Sequence, residues 1–114
     1  MKREENLKYF FGAYKGICIL TVYGIASVSS LSEVTEMLNE LESEISKKYI
    51  INFNNTDTID KSISLIIVNI KNIIRIKNAK IIFCGLNKKI KSSLIEEGII
   101  IKNEYAPNPM DAYN

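Results

Sequence analysis

What most constrains this chain is the way short β-branched runs alternate with longer stretches of helical period. Tyr9 to Tyr14 and Ile17 to Tyr23 are two such runs, separated by Lys15-Gly16 and bounded further on by Gly24, a spacing that suits a hairpin. In the second run Ile17, Ile19, Thr21 and Tyr23 alternate with Cys18, Leu20 and Val22, so both faces are apolar and the strand is expected to be covered on both sides. Further runs follow at Tyr49 to Phe53, Ala79 to Cys84 and Ile99 to Ile101. Between them lie three segments that repeat every three to four residues. Strand, strand, helix, strand, helix, strand, helix, strand is an α/β order. It implies a central mixed sheet of about five strands, with helical crossovers joining parallel strands and packing on the sheet.

The first helix is the best marked. Ser30-Leu31-Ser32-Glu33 has the capping-box spacing, in which the serine hydroxyl and the glutamate satisfy backbone amides that have no partner inside the helix. Leu31, Val34, Leu38, Leu41 and Ile45 form its apolar stripe. Glu33, Glu36, Glu40 and Glu44 read as a solvated face, and Lys47-Lys48 would place cations at the negative end of the helix dipole. Asn54-Asn55-Thr56-Asp57 reads as a turn. The second helix is expected from about Lys61 to Lys77, with Leu65 or Ile66, Ile70, Ile73 and Ile74 inward and Asn78 ending it. Gly85 is expected to stop the fourth strand. Asn87 begins a third helix with Ile90, Leu94 and Ile95 toward the core, Lys88, Lys89 and Lys91 toward water, and Gly98 as its terminating glycine.

With 114 residues the chain has room for one domain, residues 1–114, with 1–8 expected to be a flexible tail. Fifteen basic and 13 acidic residues nearly cancel to +2, which argues against a nucleic-acid partner. No apolar h-region follows Met1-Lys2-Arg3, and Asn69, Lys71, Asn72 and Arg75 interrupt the Ile63 to Ile76 stretch, so neither a secretory signal nor a membrane span is expected. The expected location is the cytoplasm. Cys18 and Cys84 lie inside strands with no histidine anywhere in the chain to activate them, so both read as reduced, structural thiols.

Little here supports catalysis. The five glycines are scattered singly, forming neither a P-loop nor a dinucleotide fingerprint, and the chain has no histidine and no close cysteine pair to hold a metal. No cofactor, metal site or catalytic residue is expected, and the protein is read as a non-enzyme. Asp57 and Asp60 suit turn and cap positions better than an acid/base pair. A receiver domain of the response-regulator type needs an acidic pair after its first strand, whereas Gly24-Ile25-Ala26-Ser27 follows Tyr23. The segment that stands out is Thr58-Ile59-Asp60-Lys61-Ser62-Ile63-Ser64, at a strand-to-helix junction. There Ser62 can be a hydroxyl cap, a phosphate acceptor, or both.

From about Tyr9 to Ala112 the chain resembles the STAS domain family of bacterial anti-sigma-factor antagonists and sulfate-transporter tails. The pieces that carry the resemblance are Gly16-Ile17-Cys18-Ile19-Leu20-Thr21-Val22-Tyr23-Gly24, the Ile59-Asp60-Lys61-Ser62 junction, Asn78-Ala79-Lys80-Ile81-Ile82-Phe83-Cys84-Gly85-Leu86 and Ser93-Leu94-Ile95-Glu96-Glu97-Gly98-Ile99. The resemblance implies a partner switch in transcription regulation. The unphosphorylated antagonist binds an anti-sigma factor that is also a serine kinase, and phosphorylation at this helix start ends the binding. The modified serine of antagonists maps to Ser62. Lys61 stands where stressosome-type members carry the modified residue, and Ile63 where the family has glycine. Asp57, Thr58, Asp60, Lys61, Ser62 and Ile63, with the outer side of the second helix, are the expected docking face, and an exposed Ile63 is expected to serve as an apolar anchor. The alternatives under the same resemblance are a stressosome-like scaffold and a degenerate member without phosphorylation, and it leaves room for a weak homodimer.

Overall fold

The computed structural model of the protein describes residues 7–23, 31–56 and 62–108. It begins with the hairpin: β1, Lys8–Tyr14, runs antiparallel to β2, Ile17–Tyr23, with Tyr14 opposite Ile17. Lys15 and Gly16 both take positive φ, 50° and 80°. Two left-handed residues in a two-residue loop match the right-handed twist of the flanking strands, so the turn holds the register that Lys15-Gly16 suggests. Order begins earlier than expected. Leu7 belongs to the core and Lys8 already pairs with Tyr23, so the tail expected over 1–8 does not reach residues 7 and 8.

Among the described residues the sheet has four strands in the order β1-β2-β3-β4. β3, Lys48–Thr56, and β4, Lys80–Leu86, lie parallel to β2 and to each other. β3 runs through Asn54-Asn55-Thr56, where a turn was expected, and it does so through an irregularity in the pairing. Asn52 faces Cys84, whereas Thr56 faces Leu86. A bulge absorbs the extra residues and bends the strand. Gly85 likewise does not stop β4. With φ 76° it remains inside the strand, which ends at Leu86.

Helix α1, Leu31–Ser43, buries Val34, Met37 and Leu41. Met37, three residues after Val34 and four before Leu41, is the centre of the stripe, and Leu38 lies at its margin. The two ends of the expected stripe are outside it: Leu31 is 65% exposed and Ile45 93%. Ile45 lies beyond the helix, which stops at Ser43, so helical spacing no longer governs where it points. Lys47 and Lys48 do not serve the helix end either, because Lys48 begins β3. The cation at that end comes from another element. The Lys77 ammonium donates to the carbonyls of Glu42 and Glu44, the latter at 2.9 Å. The acidic face is not wholly solvated, since the Tyr9 hydroxyl donates to the carboxylates of Glu36 and Glu40, each at 3.2 Å. The Ser30 cap lies outside the described residues.

Helix α2, Ser62–Ile76, packs Ile63, Ile66, Ile67, Ile70 and Ile74 on the sheet. Of the two candidates for its first inward position, Ile66 is buried and Leu65 exposed. Asn78, at φ 60°, ends the helix: its amide bonds the Arg75 carbonyl at 2.9 Å and the Ala79 amide bonds Ile74 at 3.4 Å, the paired closure of a Schellman motif. Helix α3, Lys88–Glu96, starts from Asn87, whose side chain accepts from the Ile90 amide at 3.0 Å. Gly98, at φ 74°, closes α3 in the same way, with Gly98 bonded to Ile95 and Ile99 to Leu94. Ile90 and Leu94 are buried, whereas Ile95 is on the outer side.

That closure explains the missing fifth strand. The amides of Ile99 and Ile100 both bond the Leu94 carbonyl, at 2.9 and 3.3 Å, so they cannot join a ladder. Ile100 instead inserts into the core, and a 3-10 turn follows at Lys102–Glu104. The chain then reaches β4 at a single bridge between Phe83 and Tyr105, with the Ala106 amide donating to the Phe83 carbonyl at 2.9 Å. The larger apolar cluster fills the space between sheet and helices, including Leu20, Tyr49, Phe53 and Phe83, the last two rings stacked 6.3 Å apart. On the opposite sheet face, Ile50, Cys84 and Ala106 form a smaller cluster flanked by half-buried Ile17, Ile19 and Ile82, so the double-sided apolar pattern of β2 is only partly covered there.

Candidate partner-binding site

β3 ends before, and α2 begins within, the strand-to-helix junction that stands out in the sequence. β3 and β4 are adjacent and parallel, and Thr56 at the end of β3 pairs with Leu86 at the end of β4. The helix after each strand therefore starts at the same sheet end, where α/β proteins commonly place their sites. Ser62 opens α2 there, and Asn87-Lys88-Lys89 opens α3. Lys88 and Lys89 are exposed. No acidic residue occupies the first turn of α2, so no carboxylate within that turn offsets the partial positive charge of its amides.

α2 divides cleanly. Its inner row, Ile63 to Ile74, is in the core, whereas its outer row carries Leu65 at 66% exposure and Val68 at 38%, followed by exposed Asn69, Asn72 and Arg75. Val68 is three residues after Leu65, so an apolar strip runs along the outer side of the helix from its first turn. A strip of uncharged side chains beginning at a helix N-terminus offers area and apolar contact to another protein surface.

The geometry can be compared with known proteins. No family model matches the sequence, and no curated protein is similar to it in sequence. Solved structures do match. RsbS from Moorella thermoacetica, carrying a serine-to-glutamate substitution, superposes with a TM-score of 0.76 at 12% identity, over 93% of this chain and 92% of its own. The anti-sigma factor antagonist SpoIIAA in its unphosphorylated form gives 0.72 at 8% identity over 93% of each chain. This is the STAS fold. The phosphorylated form of SpoIIAA, described as a Bacillus cell fate determinant, gives 0.71 at 8% identity over 93% of this chain and 96% of its own. Among the described residues the mixed sheet has four strands, one fewer than expected from the sequence.

Of the expected site residues, Asp57, Thr58, Asp60 and Lys61 lie outside the described residues, and Ser62 is the first residue of α2. Ile63 is corrected. It is 9% exposed and part of the main core cluster, so it is an anchor for α2 on the sheet and not an exposed anchor for a partner. The spacing from Ile63 to Ile66, Ile67, Ile70 and Ile74 carried that signal, because it places Ile63 on the inner row. Two features escaped the sequence reading. One is the outward strip of Leu65 and Val68, hidden in a run so rich in isoleucine that both sides of the helix look apolar. The other is the shared sheet end of Ser62 and Lys88-Lys89, which follows only from β3 and β4 being neighbours.

Neither thiol is a nucleophile. Cys18 and Cys84 are fully buried and unbridged, and burial pushes both up to about 11. At neutral pH they are thiols packed as small apolar groups. Among the described residues no cluster of acidic or cysteine side chains could hold a metal, and no helix is long and apolar enough to cross a membrane.

Proposed function

We propose that this STAS domain is a regulatory binding protein of the anti-sigma-factor-antagonist type, a non-enzyme that docks an anti-sigma factor with serine kinase activity and is switched at Ser62. The observation that carries this reading is the position of Ser62 as the first residue of α2, at the head of the exposed strip Leu65–Val68. The structural neighbours support it: one is an anti-sigma factor antagonist known in unphosphorylated and phosphorylated forms, and another carries glutamate in place of serine.

The switch follows from helix electrostatics. A phosphate on Ser62 brings about −1.5 to −2 charges to a helix N-terminus, where free amides and the dipole accommodate it. The fold therefore survives modification. A partner packed over Leu65 and Val68 would desolvate that dianion without neutralising it, which costs about several kcal/mol of binding.

The test is binding to the anti-sigma factor co-purified from the native host. Ser62→Ala should bind as the wild type does and resist the kinase. Ser62→Asp should bind at least about tenfold more weakly while keeping its melting temperature. Leu65→Asp, on the outer strip, should weaken binding with the same retention of stability. Equal affinity for wild type, Ser62→Ala and Ser62→Asp would sink the switch.

A further inference from the structure

The two edges of the sheet are treated differently. At β4 the chain returns through the Phe83–Tyr105 bridge and the Ala106 amide, so that edge is partly closed. β1 is the last strand in the order, and no strand among the described residues pairs with its outer side. Natural edges are usually guarded by prolines, bulges or inward charges. Lys8-Tyr9-Phe10-Phe11-Gly12-Ala13-Tyr14 pairs with β2 without a register shift, and its one charge is at its first residue.

Which backbone groups point outward follows from the turn. In a two-residue hairpin loop with both residues left-handed, the flanking pair, here Tyr14 and Ile17, exchanges both hydrogen bonds. Antiparallel pairs alternate, so Gly12, Phe10 and Lys8 also bond toward β2. The amides and carbonyls of Tyr9, Phe11 and Ala13 are the ones aimed at the free edge.

A second β1 laid antiparallel, with a two-fold axis at Phe11, satisfies them with about six hydrogen bonds, two between the Phe11 residues and two in each Tyr9–Ala13 pair. The side chains fit in the same register. Tyr9 falls opposite Ala13, Phe10 opposite Gly12 and Lys8 opposite Tyr14, so bulky residues meet small ones at two of these three pairs. Phe10 opposite Gly12 is a pair without mutual hydrogen bonds, the closer kind, where an aromatic ring covers the glycine backbone. Phe10 is the most exposed of these rings at 64% and packs edge-on against Tyr23 at 5.7 Å, which holds it ready on the sheet face. The third pair sets an ammonium beside an aromatic ring, as Lys15 already stands 5.4 Å from the Tyr14 ring.

We propose that the free edge of β1 pairs with β1 of a second copy of this chain, giving a symmetric dimer with a continuous eight-stranded sheet. The interface is separate from α2, so a dimer leaves both Ser62 sites open. One strand pair buries less area than a standard interface, and the association is weak and concentration-dependent.

Sedimentation equilibrium of the full chain, taken up to about 1 mM, tests this. The wild type should show a monomer–dimer equilibrium. Phe10→Lys, at an exposed side chain, and Ala13→Pro, which removes an outward amide, should each raise the dimer dissociation constant at least about tenfold with little change in melting temperature. Oxidation should cross-link Phe11→Cys chains, whose Cα atoms would lie about 5.5 Å apart across the axis, and not Ala13→Cys chains. A monomer at every concentration, a dimer indifferent to both substitutions, or cross-linking at position 13 in preference to 11 would overturn the proposal.

Discussion

The ammonium of Lys71 lies 2.8 Å from the carboxylate of Glu104, joining the middle of α2 to the segment that follows α3. The same ammonium donates to the Ile99 carbonyl at 2.8 Å, and the carboxylate also accepts from the Ile101 amide at 3.2 Å. Both side chains are largely shielded, 14% and 18% exposed, so water screens the pair less than it does a surface ion pair. The cluster lies where the fifth strand was expected. What holds the C-terminal segment is thus a charged side-chain clamp together with the insertion of Ile100, and only one bridge of sheet pairing.

Breaking this clamp from either side is expected to cost about 1–2 kcal/mol, between the values for exposed and buried pairs. Lys71→Met and Glu104→Gln should each lower the denaturant midpoint, and the double variant should lose less than the sum because the partners are coupled. Additive losses in a double-mutant cycle would show that the two groups do not act together.

Lys77 is expected to act as the cap of α1 although it follows α2. Its removal as Lys77→Ala should cost about 1 kcal/mol, through two carbonyls left without their charged donor and through lost interaction with the helix dipole. Lys47→Ala should cost little, since Lys47 lies outside α1 and its side chain is exposed. Comparing the two urea midpoints separates a tertiary cap from a local one. A larger loss for Lys47→Ala would refute the assignment.

Ile63→Ala should destabilise the fold by about 2–4 kcal/mol, in keeping with large-to-small changes in cores. Ile63→Gly should cost still more, because glycine also disfavours the first turn of a helix. If Ile63 instead contacted a partner, binding would fall while stability held. Thermal melts alongside binding isotherms distinguish the two.

Cys18 and Cys84 supply a pH dependence. Each thiol is raised from 9 to about 11 in the folded state by burial. Folding thus favours the neutral form, and the associated stability is present in full below pH 9 and lost as pH rises toward 11. Native protein at pH 8 should react with a thiol reagent only as fast as it opens, and unfolded protein at once. Immediate reaction of both thiols in the native state would show that they are not buried as described.

The elements themselves were legible in local sequence. Lys15-Gly16 specifies a hairpin because two left-handed residues close a two-residue loop. Asn78 and Gly98 end helices because their positive φ allows the closure that each helix end makes with its own carbonyls. The α/β order followed from the spacing of apolar residues, and α2, expected from about Lys61, begins at Ser62 among the described residues. Pairing and competition were not legible. Ile99 to Ile101 has every local mark of a strand, yet the first two amides were taken by the Leu94 carbonyl at the end of α3. Asn54 to Thr56 has the composition of a turn, yet β4 pairs with its end at Leu86. Ile63 and Leu65 are both apolar residues in one helix, and only the position of the sheet sends one into the core and the other to the surface. Local sequence sets backbone preferences worth about 1 kcal/mol per residue, whereas burial of a single isoleucine is worth about 1.5–3 kcal/mol and depends on what lies opposite. The cap of α1 by Lys77, 33 residues from Glu44, is of the second kind: charge and carbonyl meet only because α1 and α2 pack on the same face of one sheet.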